Sequence, residues 1–167
     1  DEQSAIDVER DIEEIRSDLA EVIERHERAM DASRPAAVAR RHESGHRTAR
    51  ENIAHLCDAG TFIEYGSLVL AADGRFNTEQ LIEKSPADGM IVGIGTVNGE
   101  SFAPPASRCL VMAYDYTVFA GTQGGRNLAK TDRGIAVARS ARLPVVLFAE
   151  GGGGRASGGG GSMGLPA

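Results

Sequence analysis

The chain has 167 residues, enough for one domain with its own core, and 41% of them are apolar, which excludes disorder on composition. A formal charge of -6 argues against nucleic acid as the main partner, and no window approaches the ~18 consecutive apolar residues of a membrane span. Cys57 and Cys109 are far apart and form no CxxC pair, which argues against a disulfide framework or cysteine zinc site and agrees with a reducing compartment. No signal peptide is visible, and the chain starts at Asp1 rather than Met, so a missing upstream part is expected.

Residues 1–31 carry twelve acids against four arginines and read, over 5–30, as an amphipathic helix with Ile12, Ile15, Leu19, Val22 and Ile23 at helical spacing. Such a helix is expected to dock on the main body or on another subunit. Pro35 marks a break. Residues 36–57 form a second helical region interrupted at Ser44-Gly45, and Thr48 with Glu51 three residues on reads as a capping box. Residues 34–50 are basic: Arg34, Arg40, Arg41, Arg47 and Arg50 stand against one acid, Glu43. This stretch suits an anionic small ligand, or equally a helix surface pairing with acidic neighbours. Phe62–Tyr65 and Leu68–Leu70 read as short extended pieces, and 71–87 as an irregular loop. Met90–Val97 is a β-run closed by Asn98-Gly99, a strong hairpin signal, with the partner strand resuming at Cys109–Tyr114. A glycine-containing turn at 120–125, a helix over 126–142 and a buried-looking strand over 144–149 follow. Strand, helix, strand in that order implies a parallel crossover and a layered α/β fold. The last 17 residues are glycine-rich and on composition alone read as a flexible linker.

Side-chain catalytic constellations are missing. His42-Glu-Ser-Gly-His46 matches the HExxH zincin pattern literally, but Gly45 weakens the helix, arginines surround it and no third ligand is near, so no metal is expected. His26 and His55 add no metal-ligand spacing. There is no GxSxG, and no Gly-Lys-Ser/Thr follows the glycine runs. What remains is backbone chemistry: consecutive glycines at a strand end expose N–H groups that can stabilise negative charge on a carbonyl oxygen, or they form a plain turn.

Several stretches read together resemble the carboxyltransferases of biotin-dependent acyl-CoA carboxylases. They are Arg41-His-Glu-Ser-Gly-His-Arg-Thr-Ala-Arg-Glu-Asn-Ile53, Leu56-Cys-Asp-Ala-Gly-Thr-Phe-Ile-Glu-Tyr65, Asp88-Gly-Met-Ile-Val-Gly-Ile-Gly-Thr-Val-Asn-Gly99 and Asp115-Tyr-Thr-Val-Phe-Ala-Gly-Thr-Gln-Gly124. Lys130 and Pro144-Val-Val-Leu-Phe-Ala-Glu-Gly-Gly-Gly-Gly-Arg155 complete the order, and the last stretch looks most like the branch acting on longer or varied acyl chains. Five pieces in order over residues 41–155 make the resemblance specific.

The resemblance implies an α/β crotonase-like (ClpP/crotonase) fold of repeated ββα units, truncated, with an N-terminal helical extension. It divides the chain into an extension (1–35), a partial N-terminal carboxyltransferase subdomain (36–155) and a glycine-rich segment (156–167) that fits a later family segment after an internal gap. An engineered glycine–serine linker is the rival reading of that segment. The implied reaction moves a carboxyl group from carboxybiotin, on a carrier domain or protein, to the α-carbon of an acyl-CoA. Gly160 and Gly161 would supply backbone oxyanion donors. Gly152, Gly153 and Arg155 would line the site or order its loop, and Arg47 and Arg50 would approach CoA phosphates. Biotin carboxylase and biotin carboxyl carrier components are the implied partners, in a dimer-based homo-oligomer, with a hexamer expected from the family's manner. The implied place is the cytoplasm, or the mitochondrial matrix in a eukaryote. Two alternatives stay open: a biotin-dependent acyl-CoA decarboxylase subunit, and a non-catalytic assembly fragment in which helix 5–30 docks on a partner. Because the family's second half is lacking, the chain alone is expected to be incomplete and inactive.

Overall fold

The computed structural model describes residues 17–155. Helix α1, Ser17–Arg28, leads through a 3-10 turn, Asp31–Ser33, into α2, Pro35–Glu43, and α3, Ala49–Leu56. Strand β1, Ile63–Tyr65, follows, then α4, Thr78–Lys84, and the 3-10 turn Pro86–Gly89. Strand β2, Met90–Thr96, the short helix α5, Pro104–Ser107, and strand β3, Arg108–Tyr114, come next. The 3-10 turn Phe119–Gly121, helix α6, Gly125–Ala141, and strand β4, Val145–Phe148, complete the order.

The sheet runs β1-β2-β3-β4. β2 pairs antiparallel with β1 and with β3, from Met90 opposite Tyr114 to Thr96 opposite Arg108. β3 and β4 are parallel, Leu110 opposite Val145, with α6 as the crossover. β2, β3 and α6 thus form one ββα unit, and β4 opens the next.

The pleat sends alternate residues to opposite faces. Ile91, Cys109, Val111 and Ala113 meet Ala49, Ile53 and Cys57 on the α3 side. Met90, Val92, Ile94, Leu110 and Met112 meet Ala138 on the α6 side. With a helix on each face, both central strands are continuous apolar runs rather than alternating ones.

Several sequence expectations hold. The capping box at α3 is present: the Glu51 N–H donates to Thr48 Oγ1 at 3.0 Å and the Thr48 N–H to the Glu51 carboxylate at 2.8 Å. Both cysteines are free and buried. The pairing expected between Met90–Val97 and Cys109–Tyr114 is present, joined by a long connection over 97–107 that contains α5, and the Asp58 carboxylate holds the N–H groups of Asn98 and Gly99 at 3.1 and 2.8 Å. Others are corrected. Segment 71–87 is not all loop, since α4 starts on Asn77, whose side chain accepts from the Gln80 N–H at 2.9 Å in a second capping box. Leu68–Leu70 forms no strand. Strand β4 lies at the sheet edge, with Val145 46% and Leu147 45% exposed, so it is half-buried. Of the helix expected over 5–30, residues 5–16 lie outside the described residues, and on the described part Leu19, Val22 and Ile23 are exposed. α1 is held by polar contacts instead, Arg28 to Glu79 at 2.6 Å and His26 to Ser67 at 3.1 Å.

Gly93 is where the sheet admits its α3-side neighbours. A Cβ there would stand 2.4 Å from the Ile63 carbonyl oxygen and 2.5 Å from the Phe62 ring. Gly93→Ala is therefore expected to lower the unfolding free energy by about 1–3 kcal/mol, read as a lower urea midpoint at unchanged slope. An unchanged midpoint would refute this packing.

Candidate functional site

Two left-handed turns lie side by side, one just before β2 and one just after β3. Ala87, Asp88 and Gly89 have φ of 54, 47 and 70°, and Phe119, Ala120 and Gly121 have φ of 49, 53 and 67°. Non-glycine residues in this region cost on the order of 1 kcal/mol each and persist where surroundings hold them. The holding group is Asp88, whose carboxylate is fully buried. Its Oδ2 accepts the Asn127 N–H at 2.8 Å and so caps α6 from across the fold; its Oδ1 takes Arg155 Nη1 at 2.6 Å. Arg155 Nη2 also donates to the Thr122 carbonyl at 2.8 Å, and the guanidinium lies 4.5 Å from the centroid of the Phe119 ring. Asn127 Nδ2 returns a bond to the Asp88 carbonyl at 2.9 Å, while its Oδ1 is buried without a partner among the described residues.

The glycine loop after β4 zips onto the loop after β3. Gly151 lies so close to Gly121 that a Cβ on it would be 2.2 Å from the Gly121 carbonyl oxygen. The Gln123 N–H donates to the Gly153 carbonyl at 2.8 Å and the Arg155 N–H to the Gln123 carbonyl at 2.7 Å. The Gly152 N–H donates to the Ala120 carbonyl at 3.2 Å and is thereby engaged. Gly153 and Gly154 are exposed, and their N–H groups have no acceptor among the described residues. Such donors suit an anionic oxygen.

The basic stretch is largely paired with acids. Arg34 meets Asp115 at 3.1 Å, Arg50 meets Glu64 at 2.8 Å and the Ala29 carbonyl at 3.1 Å, and buried Arg41 pairs with Glu150 just before the glycines. Arg41 also donates to the Arg47 carbonyl at 2.9 Å and lies over the Tyr116 ring. The Arg47 residue itself is exposed. Of the sequence-predicted site residues, Gly152, Gly153 and Arg155 lie together in the loop after β4, Arg50 is tied to Glu64, and Gly160 and Gly161 lie outside the described residues. The literal HExxH stretch forms no zincin site: α2 ends at Glu43, Gly45 turns left-handed (φ 77°), and His42 pairs with Glu51 while His46 meets Ser44. No group of three metal-ligating side chains occurs among the described residues.

Sequence reasoning missed a groove of 650 Å³ between α6 and the end of β1, walled by Tyr65, Val69, Val92 and Val137, with Arg126, Lys130 and Arg133 along α6. Burial pushes the Lys130 ammonium down to about 8, opposed in part by Glu64. The available signal was the spacing of three cations at i, i+4 and i+7 on a helix whose same face carries Val137.

Residues 40–163 match the carboxyl transferase domain family. The chain belongs to that family. The propionyl-CoA carboxylase beta chain of Saccharopolyspora erythraea is 32% identical over 157 residues, covering 94% of this chain and 27% of that one. The alpha subunit of methylmalonyl-CoA decarboxylase from Propionigenium modestum is 30% identical over 120 residues, covering 71% and 21%. Among solved structures, a single-chain, multi-domain long-chain acyl-CoA carboxylase superposes with a TM-score of 0.84 at 56% identity, covering 89% of this chain and 15% of that one. The hexameric transcarboxylase 12S core gives 0.59 at 28% identity, covering 72% and 21%. The chain thus spans about a quarter of the length of its curated relatives. Its fold is crotonase-like, as the carboxyltransferase resemblance implied.

Two outcomes follow from this geometry. Breaking the buried pair by Arg155→Met is expected to cost about 3–5 kcal/mol of unfolding free energy, because Asp88 is left buried and uncompensated; a loss below about 1 kcal/mol in urea unfolding would show that the pair is not what holds the turns. Lys130 has a depressed value in the fold, so its contribution is fully present above the unfolded value of 10.5 and is lost as pH falls to about 8. The unfolding free energy should therefore rise between those pH values by up to about 3 kcal/mol more in the parent chain than in Lys130→Met. Parallel pH profiles would contradict it.

Proposed function

We infer that this chain is the acyl-CoA side of a carboxyltransferase that moves a carboxyl group from carboxybiotin to the α-carbon of an acyl-CoA. The observation that carries the reading is the likeness to the long-chain acyl-CoA carboxylase structure, together with a glycine loop that presents unengaged N–H groups at its exposed face. Carboxylating an α-carbon requires negative charge to develop on the thioester oxygen, and backbone donors meet that charge without a side-chain acid. Gly160 and Gly161 are the proposed oxyanion donors, Gly152 and Gly153 line the approach, and Arg155 orders the loop through Asp88. Exposed Arg47 is the proposed phosphate contact, while Arg50 serves it indirectly by fixing α3 against Glu64. The division into extension (1–35), partial subdomain (36–155) and glycine-rich segment (156–167) belongs to the same reading. Biotin arrives on a carrier and supplies the transferable carboxyl group; the glycine N–H donors fit a carbonyl oxygen, and no described residue is assigned to the biotin ring. The partners are biotin carboxylase and carrier components, and the assembly is a dimer-based oligomer acting in the cytoplasm or, in a eukaryote, the mitochondrial matrix. Alone, this portion is inactive.

A second reading runs the chemistry backwards, as a decarboxylase subunit, and the methylmalonyl-CoA decarboxylase relative favours it. The full-length parent, assayed with its biotin partners, is expected to fix bicarbonate onto an acyl-CoA. Release of carbon dioxide from a carboxyacyl-CoA without net fixation would favour the second reading, and neither activity would sink both. In the same assay Arg47→Ala should raise KM for acyl-CoA about 3–10-fold and leave kcat nearly unchanged, since a phosphate contact remote from the reacting carbon is uniform binding. An unchanged KM would remove Arg47 from the site.

A further inference from the structure

Lys130 and Lys84 are the two lysines of the chain. Lys84 is exposed at the end of α4, whereas Lys130 lies along the groove between α6 and β1. The Lys130 Nζ donates to the Gly66 carbonyl at 2.9 Å and to the Ala87 carbonyl at 3.3 Å, and forms no ion pair among the described residues. An ammonium has three N–H groups to place; a neutral amine has two, and a lone pair. The two carbonyls take two of these N–H groups, and the remaining position on the nitrogen, an N–H in the ammonium and the lone pair in the amine, has no partner among the described residues. The nearby charges do not restore the ammonium. Glu64 on β1 is held by Arg50 on α3, Asp88 in the turn before β2 is held by Arg155, and the neighbours on α6 itself, Arg126 and Arg133, are cationic.

We propose that Lys130 is a nucleophilic amine that takes the acyl group of an activated thioester, giving an Nζ-acyl-lysine in this groove. The neutral Nζ adds to the thioester carbonyl carbon. The new C–N bond forms, the C–S bond breaks, and sulfur leaves as a thiolate that takes up the proton lost by nitrogen. The amide product keeps one N–H, enough for the nearer acceptor, Gly66. The groove walls of Tyr65, Val69, Val92 and Val137 accept an apolar acyl chain, and Arg126 and Arg133 flank it where an anionic end of the donor would lie. Carboxyl transfer uses no lysine nucleophile, so acylation of Lys130 is a separate event that fills the groove. That the donor is an acyl-CoA rests on the function proposed above; the reactivity of the amine does not.

The test labels the folded 167-residue chain with trace acetic anhydride over a range of pH and reads each lysine by peptide mass, Lys84 serving as the internal reference. Near pH 7.5 Lys130 is expected to acetylate roughly tenfold faster than Lys84, with a midpoint near the 8 that burial sets, and the preference should vanish in denaturant. Labelling of Lys130 no faster than Lys84 across the range overturns the proposal. Acetyl-CoA and the acetyl thioester of N-acetylcysteamine are then compared at pH 8. Acylation of Lys130 by both supports the nucleophile and leaves the CoA reading unsupported; marked preference for acetyl-CoA supports both. Acylation by neither, with anhydride labelling intact, overturns the thioester step alone.

Discussion

The guanidinium of Arg155 faces a carboxylate with no exposed surface, and this pair fixes most of what surrounds it. Asp88 sits between two residues that are also left-handed, in a turn that would relax if its side chain had no partner. Through Asp88 the pair sets the first turn of α6; through the Thr122 carbonyl and the Phe119 ring it sets the second left-handed turn; through its own backbone it sets the glycine loop. A lysine would not serve here. An ammonium is a point charge, without the planar fork that here reaches a carboxylate and a carbonyl through separate nitrogens while laying a flat face on the ring. Phe76, stacked on Phe119 with ring centroids 6.4 Å apart, closes the far side.

The same logic extends outward. Arg41 with Glu150, Arg34 with Asp115 and Arg50 with Glu64 each tie the helical segment ahead of the sheet to a strand or to the end of one. These arginines act as fasteners, and they leave the polar chemistry near the glycines to the backbone. The glycine loop is pinned at both ends, by Arg41 on Glu150 before it and by Asp88 on Arg155 after it.

The elements legible in the sequence were those encoded locally. Thr48 and Glu51 announce α3, and the apolar runs 90–97 and 109–114 announce the two central strands because both faces of the sheet are covered. Asn77 with Gln80 carries the same code as Thr48 with Glu51 and was read as loop, since its helix has only 7 residues and none of them buried. β4 looked buried because four apolar letters in a row cannot report that one neighbour is missing from its edge. The partners of the arginines were illegible for a different reason: Arg155 and Asp88 are 67 residues apart, Arg41 and Glu150 are 109 apart, and composition alone offers every acid in the chain as a candidate. The groove was missed because its cations and its apolar wall alternate along α6 in a pattern that resembles an ordinary surface helix.

The separation of Asp88 from Arg155 also orders events in time. Synthesis delivers β2, β3 and α6 before it delivers residue 155, so the two left-handed turns exist for a while without the cation that holds them. Contacts of such long sequence separation form late, because the intervening chain must close first. The nascent chain therefore carries a buried-to-be carboxylate without its cation until residue 155 arrives. A ribosomal pause upstream of Arg155 would therefore leave Asp88 and both left-handed turns without the guanidinium that joins them.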